Sequence, residues 1–274
     1  MNVANAMKGS NAINDRLTPV MRDPFRGLRA LPAMAVRSLL VSLLLLFAGA
    51  GGCIGVSAKP AATASLGAAS AVKRCRAVRA ADDGAVDDLE DGNNQITKSQ
   101  GRDGYWWSAA DPKGSKIDMQ TAEPGAGGSE MAMHITGSTV PGKPEDGNWG
   151  VILGMNFVSQ GLFYDASKYA GVAFKAKVGP DSGRAVRLNI ADINTHQDGG
   201  VCKTCWNHFG KELALTPEWK EYRVIFSGTE QEVGWGDPRP QAVTPSKLIA
   251  LNWKIGPGQK YDIWLDDITF LDCE

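Results

Sequence analysis

The residues best equipped for chemistry lie in one stretch, Asp192–Gly210, which reads DINTHQDGGVCKTCWNHFG. It gathers His196 and His208, two of the chain's three histidines, with Trp206 and with Cys202 and Cys205, two of its five cysteines. Thiolate and imidazole are zinc ligands, and Cys-x2-Cys is a common zinc half-site. The flanking histidine spacings match no standard zinc finger, however, and in an oxidising compartment the same two thiols close a disulfide. A Cys202–Cys205 disulfide is therefore expected ahead of a metal site. The Asp198-Gly199-Gly200 cluster and the polar composition make this a long surface loop between two strands. Ordered loops of that length are more often functional than short ones.

Aromatic and acidic residues add further candidates. The chain has eight tryptophans. Trp253 and Trp264 sit in strand-like runs and are expected in the core. Trp106, Trp107, Trp149, Trp206 and Trp235 lie in glycine-rich or polar stretches, with Tyr105 beside the first pair. A loop aromatic offers a flat apolar face and a hydrogen-bonding edge. That suits the C–H face of a sugar ring, with Asp192, Arg187 or His208 placed to meet hydroxyls. Any one of these rings could equally cap an end of a β-sandwich. Carboxylates bracket the region, as Asp87-Asp88-Leu89-Glu90-Asp91-Gly92 near its start and Trp264-Leu265-Asp266-Asp267-Ile268 near its end. They converge only if the first and last strands are neighbours, and converging hard oxygens suit Ca²⁺; otherwise they are charged strand ends facing water. No Gly-x-Ser-x-Gly elbow, phosphate loop or His-Glu-x-x-His motif is present. A glycosidase needs two carboxylates at a set separation, and nothing in the spacing singles out a pair.

The N-terminal rows bear on the compartment. Ser38–Ala50 is an apolar run of 13 residues after Arg37. It is shorter than the roughly 20 residues of a spanning helix and fits a signal-peptide core. Gly51-Gly52-Cys53 follows, which resembles a bacterial lipobox with Cys53 as the lipidated residue. Met34 offers a better start for such a signal than Met1. Residues 1–53 are thus read as an export signal and 54–85 as an alanine-rich, disordered tether without apolar period. Residues 86–274 are read as one domain. A lipid anchor would hold the protein to a membrane, and Ile54 after Cys53 leans towards the outer membrane. A formal net charge of −1 gives no electrostatic case for nucleic acid. Export makes the four cysteines other than Cys53 two disulfides, Cys202–Cys205 and Cys75–Cys273. The second requires the first and last strands to be adjacent.

The elements that must position these groups are strands. Gly171–Val178, Ala185–Ala191, Glu221–Phe226 and Leu248–Lys254 alternate apolar and polar residues with the period of two that marks a half-buried strand. The apolar faces are Val172, Phe174 and Ala176; Val186, Leu188 and Ile190; Tyr222, Val224 and Phe226; and Ile249, Leu251 and Trp253. Further strands are expected at Val86–Glu90, Ala132–Thr136, Gly150–Phe157 and Asp262–Phe270, with glycine and proline clusters between them. Many short strands of this kind indicate an all-β sandwich or jelly roll. Lys175, Lys177, Arg187, Asn189, Arg223 and Asn252 would lie together if their strands are sheet neighbours, as a solvated face or as the floor of a concave groove.

Several segments share an order with a known family: DDLEDG, GYWW, YDASKYAGVAFKAK, CKTCWNHFG, LTPEWKEYRVIFS, Gln231 with Gly234-Trp235-Gly236, and YDIWLDDITF. Together they resemble the galactose-binding-like jelly rolls, in particular the eleventh family of carbohydrate-binding modules and the complex I intermediate-associated domain. The resemblance spans nearly all of Val86–Phe270. It implies a β-sandwich that binds a β-glucan-like polysaccharide without catalysis, with a structural calcium ion held at positions matching Glu90 and Asp266, beside Asp267. The Cys-Lys-Thr-Cys loop departs from the cellulase-linked modules of that family. The expected ligand contacts are Trp206, His208, Asp192, Trp235, Tyr105 and Arg187. The other reading is an envelope structural or assembly protein that uses the same loops to dock a protein partner.

Overall fold

Alternation of apolar and polar residues becomes strand wherever both backbone edges can find partners. The computed structural model describes residues 75–78, 84–159 and 163–273. The signal segment, Cys53 and most of the tether lie outside the described residues. In chain order the strands are β1 (Cys75–Ala77), β2 (Ala85–Asp87), β3 (Trp106–Ala110), β4 (Lys116–Ala122), β5 (Ala132–Ser138) and β6 (Val151–Asn156). They continue with β7 (Gly171–Val178), β8 (Ala185–Asp192), β9 (Phe209–Ala214), β10 (Lys220–Ile225), β11 (Leu248–Ile255) and β12 (Lys260–Cys273). No helix among the described residues is long and apolar enough to cross a membrane.

The strands form two antiparallel sheets that face each other as a jelly-roll sandwich. One runs β10-β7-β12-β5-β4, with β1 and β2 also paired to β12, and the other runs β3-β6-β11-β8-β9. Inward residues of both sheets make one core, in which Phe174, Ala176, Ile263 and Leu265 meet Leu188, Leu251 and Trp253. Trp253 ties the layers together: it stacks on Trp106 at 5.5 Å within its own sheet and meets Phe174 of the other edge-on at 5.4 Å. Truncating a buried aromatic of this kind costs about 3–5 kcal/mol, because the cavity refills only in part.

The alternating runs land close to where the pattern puts them, and the exceptions have physical causes. Trp264 is not a core residue. It projects from the outer face of the seven-stranded sheet, stacked on His134 at 3.9 Å and 4.8 Å from the Lys177 ammonium. Its neighbours Ile263 and Leu265 are the buried ones, so the phase of the strand turned Trp264 outward. Trp106 goes the other way and is core. Ile249 leaves the main core because the register of β11 on β8 shifts between Leu248 and Ala250. The six polar residues expected on one face are divided. Lys175, Lys177 and Arg223 belong to β7 and β10 of one sheet, and Arg187, Asn189 and Asn252 to β8 and β11 of the other. Strands β3 and β9 escape the sequence pattern because they are edge strands with an exposed polar residue, Ser108 or Lys211, on the inward phase; β4 alternates, with Ile117 and Met119 packed on the core, and adds a strand to those expected.

Both expected disulfides are formed, Cys75–Cys273 and Cys202–Cys205. The first follows from register, since β1 pairs antiparallel with the end of β12 and sets Cys75 opposite Cys273. It closes a loop with a sequence separation of 198, and cross-links over long loops restrict the unfolded chain most. Replacing Cys75 and Cys273 together by serine is expected to lower unfolding free energy by about 2–5 kcal/mol, measured by urea titration under oxidising conditions. An unchanged midpoint would mean that the clasp adds nothing to the pairing already made by the strands.

Candidate functional site

The outer face of the five-stranded sheet carries the most concentrated set of polar and aromatic groups. The register places Trp107, Gly154, Asn252, Asn189 and Gly210 in one row across all five strands. Ala109, Ile152, Lys254, Arg187 and Glu212 form the next row. At strand spacings of about 4.8 Å, such a row is roughly 19 Å long, the reach of an oligosaccharide and not of a single sugar.

Two glycines shape this floor. A Cβ on Gly154 would stand 2.1 Å from Cε2 of Trp107, so the indole lies over a strand that has no side chain there. Its Nε1–H donates to Asn156 Oδ1 at 2.9 Å, and the ring is left half-buried. Gly210 does the same at the far end, where a Cβ would sit 2.4 Å from Asn189 Oδ1. Tyr105, two residues before Trp107, is 44% exposed and continues the aromatic edge.

Charges on this face are neutralised by one another. Arg187 donates through Nε to Asn189 Oδ1 at 3.0 Å, through one terminal nitrogen to Glu212 at 3.2 Å and through the other to the Glu230 carbonyl at 2.6 Å. Lys254 Nζ pairs with Glu232 Oε1 at 3.0 Å, and the indole of Trp235 donates to Glu232 Oε2 at 3.0 Å. Glu232 is half-buried, which by itself would raise its pKa, yet Lys254, Trp235 and Arg187 together hold it below the usual carboxylate range. The segment that brings Glu232 over the sheet is tied down by paired backbone bonds between Gly210 and Glu230. Asn207 also holds it, through the carbonyls of Glu232 and Trp235. The groove is thus walled at the β9 end and open towards Trp107.

The Asp192–Gly210 loop forms the other wall. Asp192 is completely buried and works as its anchor. One carboxylate oxygen accepts from the Thr195 hydroxyl at 2.9 Å and the Asn194 amide; the other accepts from the Thr244 amide at 2.9 Å. It is therefore not a surface ligand contact, because its oxygens are committed inside. Thr195 gives its hydroxyl hydrogen to Asp192, so its oxygen accepts the Nδ1–H of His208 at 2.9 Å. Trp206 lies edge-on against both His196 and His208. Of the expected contacts, Arg187, Trp235, Tyr105, Trp206 and His208 all come to this sheet or the loops beside it. Trp107, Asn189, Asn252, Lys254 and Glu232 complete the set. Trp107 was legible in principle: next to a core Trp106, strand alternation turns it outward.

The carboxylates matched to calcium lie elsewhere: Glu90 follows β2, Asp266 is in β12, and both contact the loop between β4 and β5. Asp266 Oδ2 accepts from the Ala126 amide at 2.7 Å. Glu90 accepts from the Ser129 hydroxyl at 2.5 Å and the Met131 amide at 3.1 Å. Ser129 is within reach of both carboxylates. Both carboxylates are thus held on one loop, their oxygens taken by its amides and by the Ser129 hydroxyl. Asp267 does not join them, because Lys175 Nζ takes it at 2.5 Å. Among the described residues no group of three His, Cys, Asp or Glu side chains is gathered closely enough to hold a metal ion.

Neither a protein-family profile nor a curated protein sequence matches the chain. Several solved structures resemble it. One is the family 11 carbohydrate-binding module of a cellulosomal cellulase of Clostridium thermocellum, 15% identical, with 68% of this chain and 92% of that chain covered at a TM-score of 0.48. Another is a family 11 module from the same organism in complex with a β-1,3-1,4-mixed-linked tetrasaccharide, 15% identical over 65% of this chain and 95% of that one, TM-score 0.45. A third is a family 30 module of a Clostridium thermocellum cellulosomal cellulase, 14% identical over 60% and 90%, TM-score 0.41.

His208 gives the site a pH signature. Burial first, then the proximity of His196 and Lys254, push its pKa down to about 3. The folded state keeps it neutral while the unfolded chain protonates near its ordinary value, so stability drains away as pH falls from about 6.5 towards 3. Between pH 7 and pH 4.5 the wild type is expected to lose about 2 kcal/mol more than His208→Phe, measured by urea unfolding at both values. Equal losses would place a protonatable, solvated imidazole at this position.

Proposed function

We propose that the outer face of the five-stranded sheet binds a polysaccharide without catalysing any reaction on it. The observation that supports this most is the Trp107 indole laid flat over Gly154, beside a row of amide side chains held on rigid strands. An indole face packs the C–H face of a pyranose, and fixed amides and paired charges meet its hydroxyls. The mutual pairing of Arg187 and Lys254 with Glu212 and Glu232 leaves an uncharged ligand as the best complement. The motif order in the sequence picks a β-glucan as the first candidate. Two disulfides accord with an exported protein; lipidation at Cys53 and an outer-membrane location extend the same reading.

Trp107→Ala is expected to weaken binding to mixed-linkage β-1,3-1,4-glucan at least tenfold, about 1.4 kcal/mol, by affinity electrophoresis and calorimetry. A wild type that is folded, oxidised and retained by no glycan would sink this reading and favour a docked envelope protein as the partner.

Calcium belongs to the same proposal, with Glu90 and Asp266 as ligands and Asp267 left to Lys175. Millimolar Ca²⁺ is expected to raise the melting temperature by several degrees over an EDTA-treated sample, and Glu90→Gln to remove most of that gain. Identical melting curves with Ca²⁺ and EDTA would assign the stabilisation of this loop to Lys175 and backbone hydrogen bonds alone.

A further inference from the structure

Among the described residues, two buried hydrogen-bond acceptors on the outer face of the five-stranded sheet have no donor. They are His208 Nε2 and Asn252 Oδ1. His208 precedes Phe209, which pairs with Ile190, and so falls opposite Ala191; Asn252 pairs with Asn189, one pleat along the same strand. The tautomer of His208 follows from its neighbours. Thr195 donates to Asp192 and so takes the Nδ1–H, which leaves Nε2 as the bare nitrogen of a neutral ring. A buried acceptor left unpaired costs about 1–3 kcal/mol, and here two occur on one face, His208 beside the β9 edge and Asn252 on the central strand β11.

Several donors of this face are engaged elsewhere. Arg187 is spread over Asn189, Glu212 and the Glu230 carbonyl, and Lys254 is paired with Glu232. The Trp235 indole is on Glu232 and the Asn207 amide on the carbonyls of Glu232 and Trp235. Two rings pack against His208: His196, stacked on it at 5.9 Å, and Trp206. Trp206 is half-buried, lies edge-on to both histidine rings and has a backbone φ of 79°, a left-handed conformation that bulky residues rarely adopt. Strain of this kind persists where neighbours impose it; the Trp206 N–H bond to the Thr195 carbonyl at 2.8 Å and the adjacent Cys202–Cys205 disulfide do so here.

From these observations we infer that the groove continues beneath Trp206 into a closed subsite, in which sugar hydroxyls donate to His208 Nε2 and Asn252 Oδ1. The inference rests on the carbohydrate reading above and adds to it a lid and two acceptor contacts. Rotation of the Trp206 side chain removes one of the two rings packed on His208 without moving the strands, and the displaced indole then borders the entering ring. The subsite takes an uncharged hydroxyl and rejects a carboxylate or sulfate, since an anion brings further acceptors to acceptors.

The signature is affinity lost without stability lost. His208→Phe fills the same space and removes the unpaired nitrogen, while Thr195 keeps both of its bonds to Asp192. At pH 7 its melting temperature is expected to be no lower than that of the wild type, and its affinity for mixed-linkage β-glucan oligosaccharide at least tenfold weaker by calorimetry. His208→Asn retains a donor for Thr195 but no Nε2, and Asn252→Ala removes the second acceptor; each is expected to weaken binding to a similar degree. If both His208 variants bind as the wild type does while Trp107→Ala has lost binding, the subsite is overturned and the carbohydrate reading stands. If affinity falls only in proportion to a large fall in melting temperature in both His208 variants, the residue is structural and the subsite is again overturned. A wild type that binds no glucan overturns both.

Discussion

Strand β12 is the constraint on which the rest of the molecule depends. Over its fourteen residues, Lys260–Cys273, it pairs with β5 along its first half, β7 along most of its length, and β2 and then β1 near its end. A central strand must satisfy backbone groups on both edges, and β12 does so only by changing partners midway. The change is made at a bulge between Asp266 and Thr269, where Asp267 takes a φ of 50°. That irregularity turns Asp266 fully into the protein, towards the loop that also holds Glu90. It also delivers Cys273 to Cys75. The acidic cluster and the terminal clasp are therefore two consequences of one strand running past a single partner.

The other sheet supplies the chemistry because its outer face is only half covered. Where Glu230–Trp235 folds back, arginine, lysine and glutamate side chains are buried together, and each loses enough water that only close pairing makes the burial tolerable. Where that cover stops, a half-buried indole lies over a glycine, with the Asn189 and Asn252 amides buried beside it. This division gives the groove a rigid, electrically quiet closed end and an aromatic open end. Precision comes from placing the floor on strands, whereas the walls are loops, in which a disulfide and the Asp192 carboxylate replace the backbone ladder that loops lack.

Much of the architecture was readable from alternation alone. Strands β7, β8, β10 and β11 fall where the period of two puts them, because each has one buried and one polar face. Where an edge strand exposes part of both faces, as in β3 and β9, the same signal fades. The Cys75–Cys273 pairing was legible through the parity of cysteines in an oxidising compartment. Trp264 and Trp106 were not, since a tryptophan in a strand says nothing of the phase in which it lies, and one step of phase exchanges core for surface.

For the site, residue types alone determined the inventory: a long loop with His196, Cys202, Cys205, Trp206 and His208, aromatics at Tyr105 and Trp235, and Arg187 on a strand. Which of them reach the outer face of the five-stranded sheet was decided by the tertiary structure. Asp192 became an internal anchor because three loop donors converge on its carboxylate. Trp107 became the platform because Gly154, 47 positions away in the chain, is its partner across the sheet. Six polar residues that one strand pattern would have gathered were parted between two sheets. The sequence carries periodicity and composition, which are local. Strand order and register are set by long-range pairing, and only those decide which side chains share a surface.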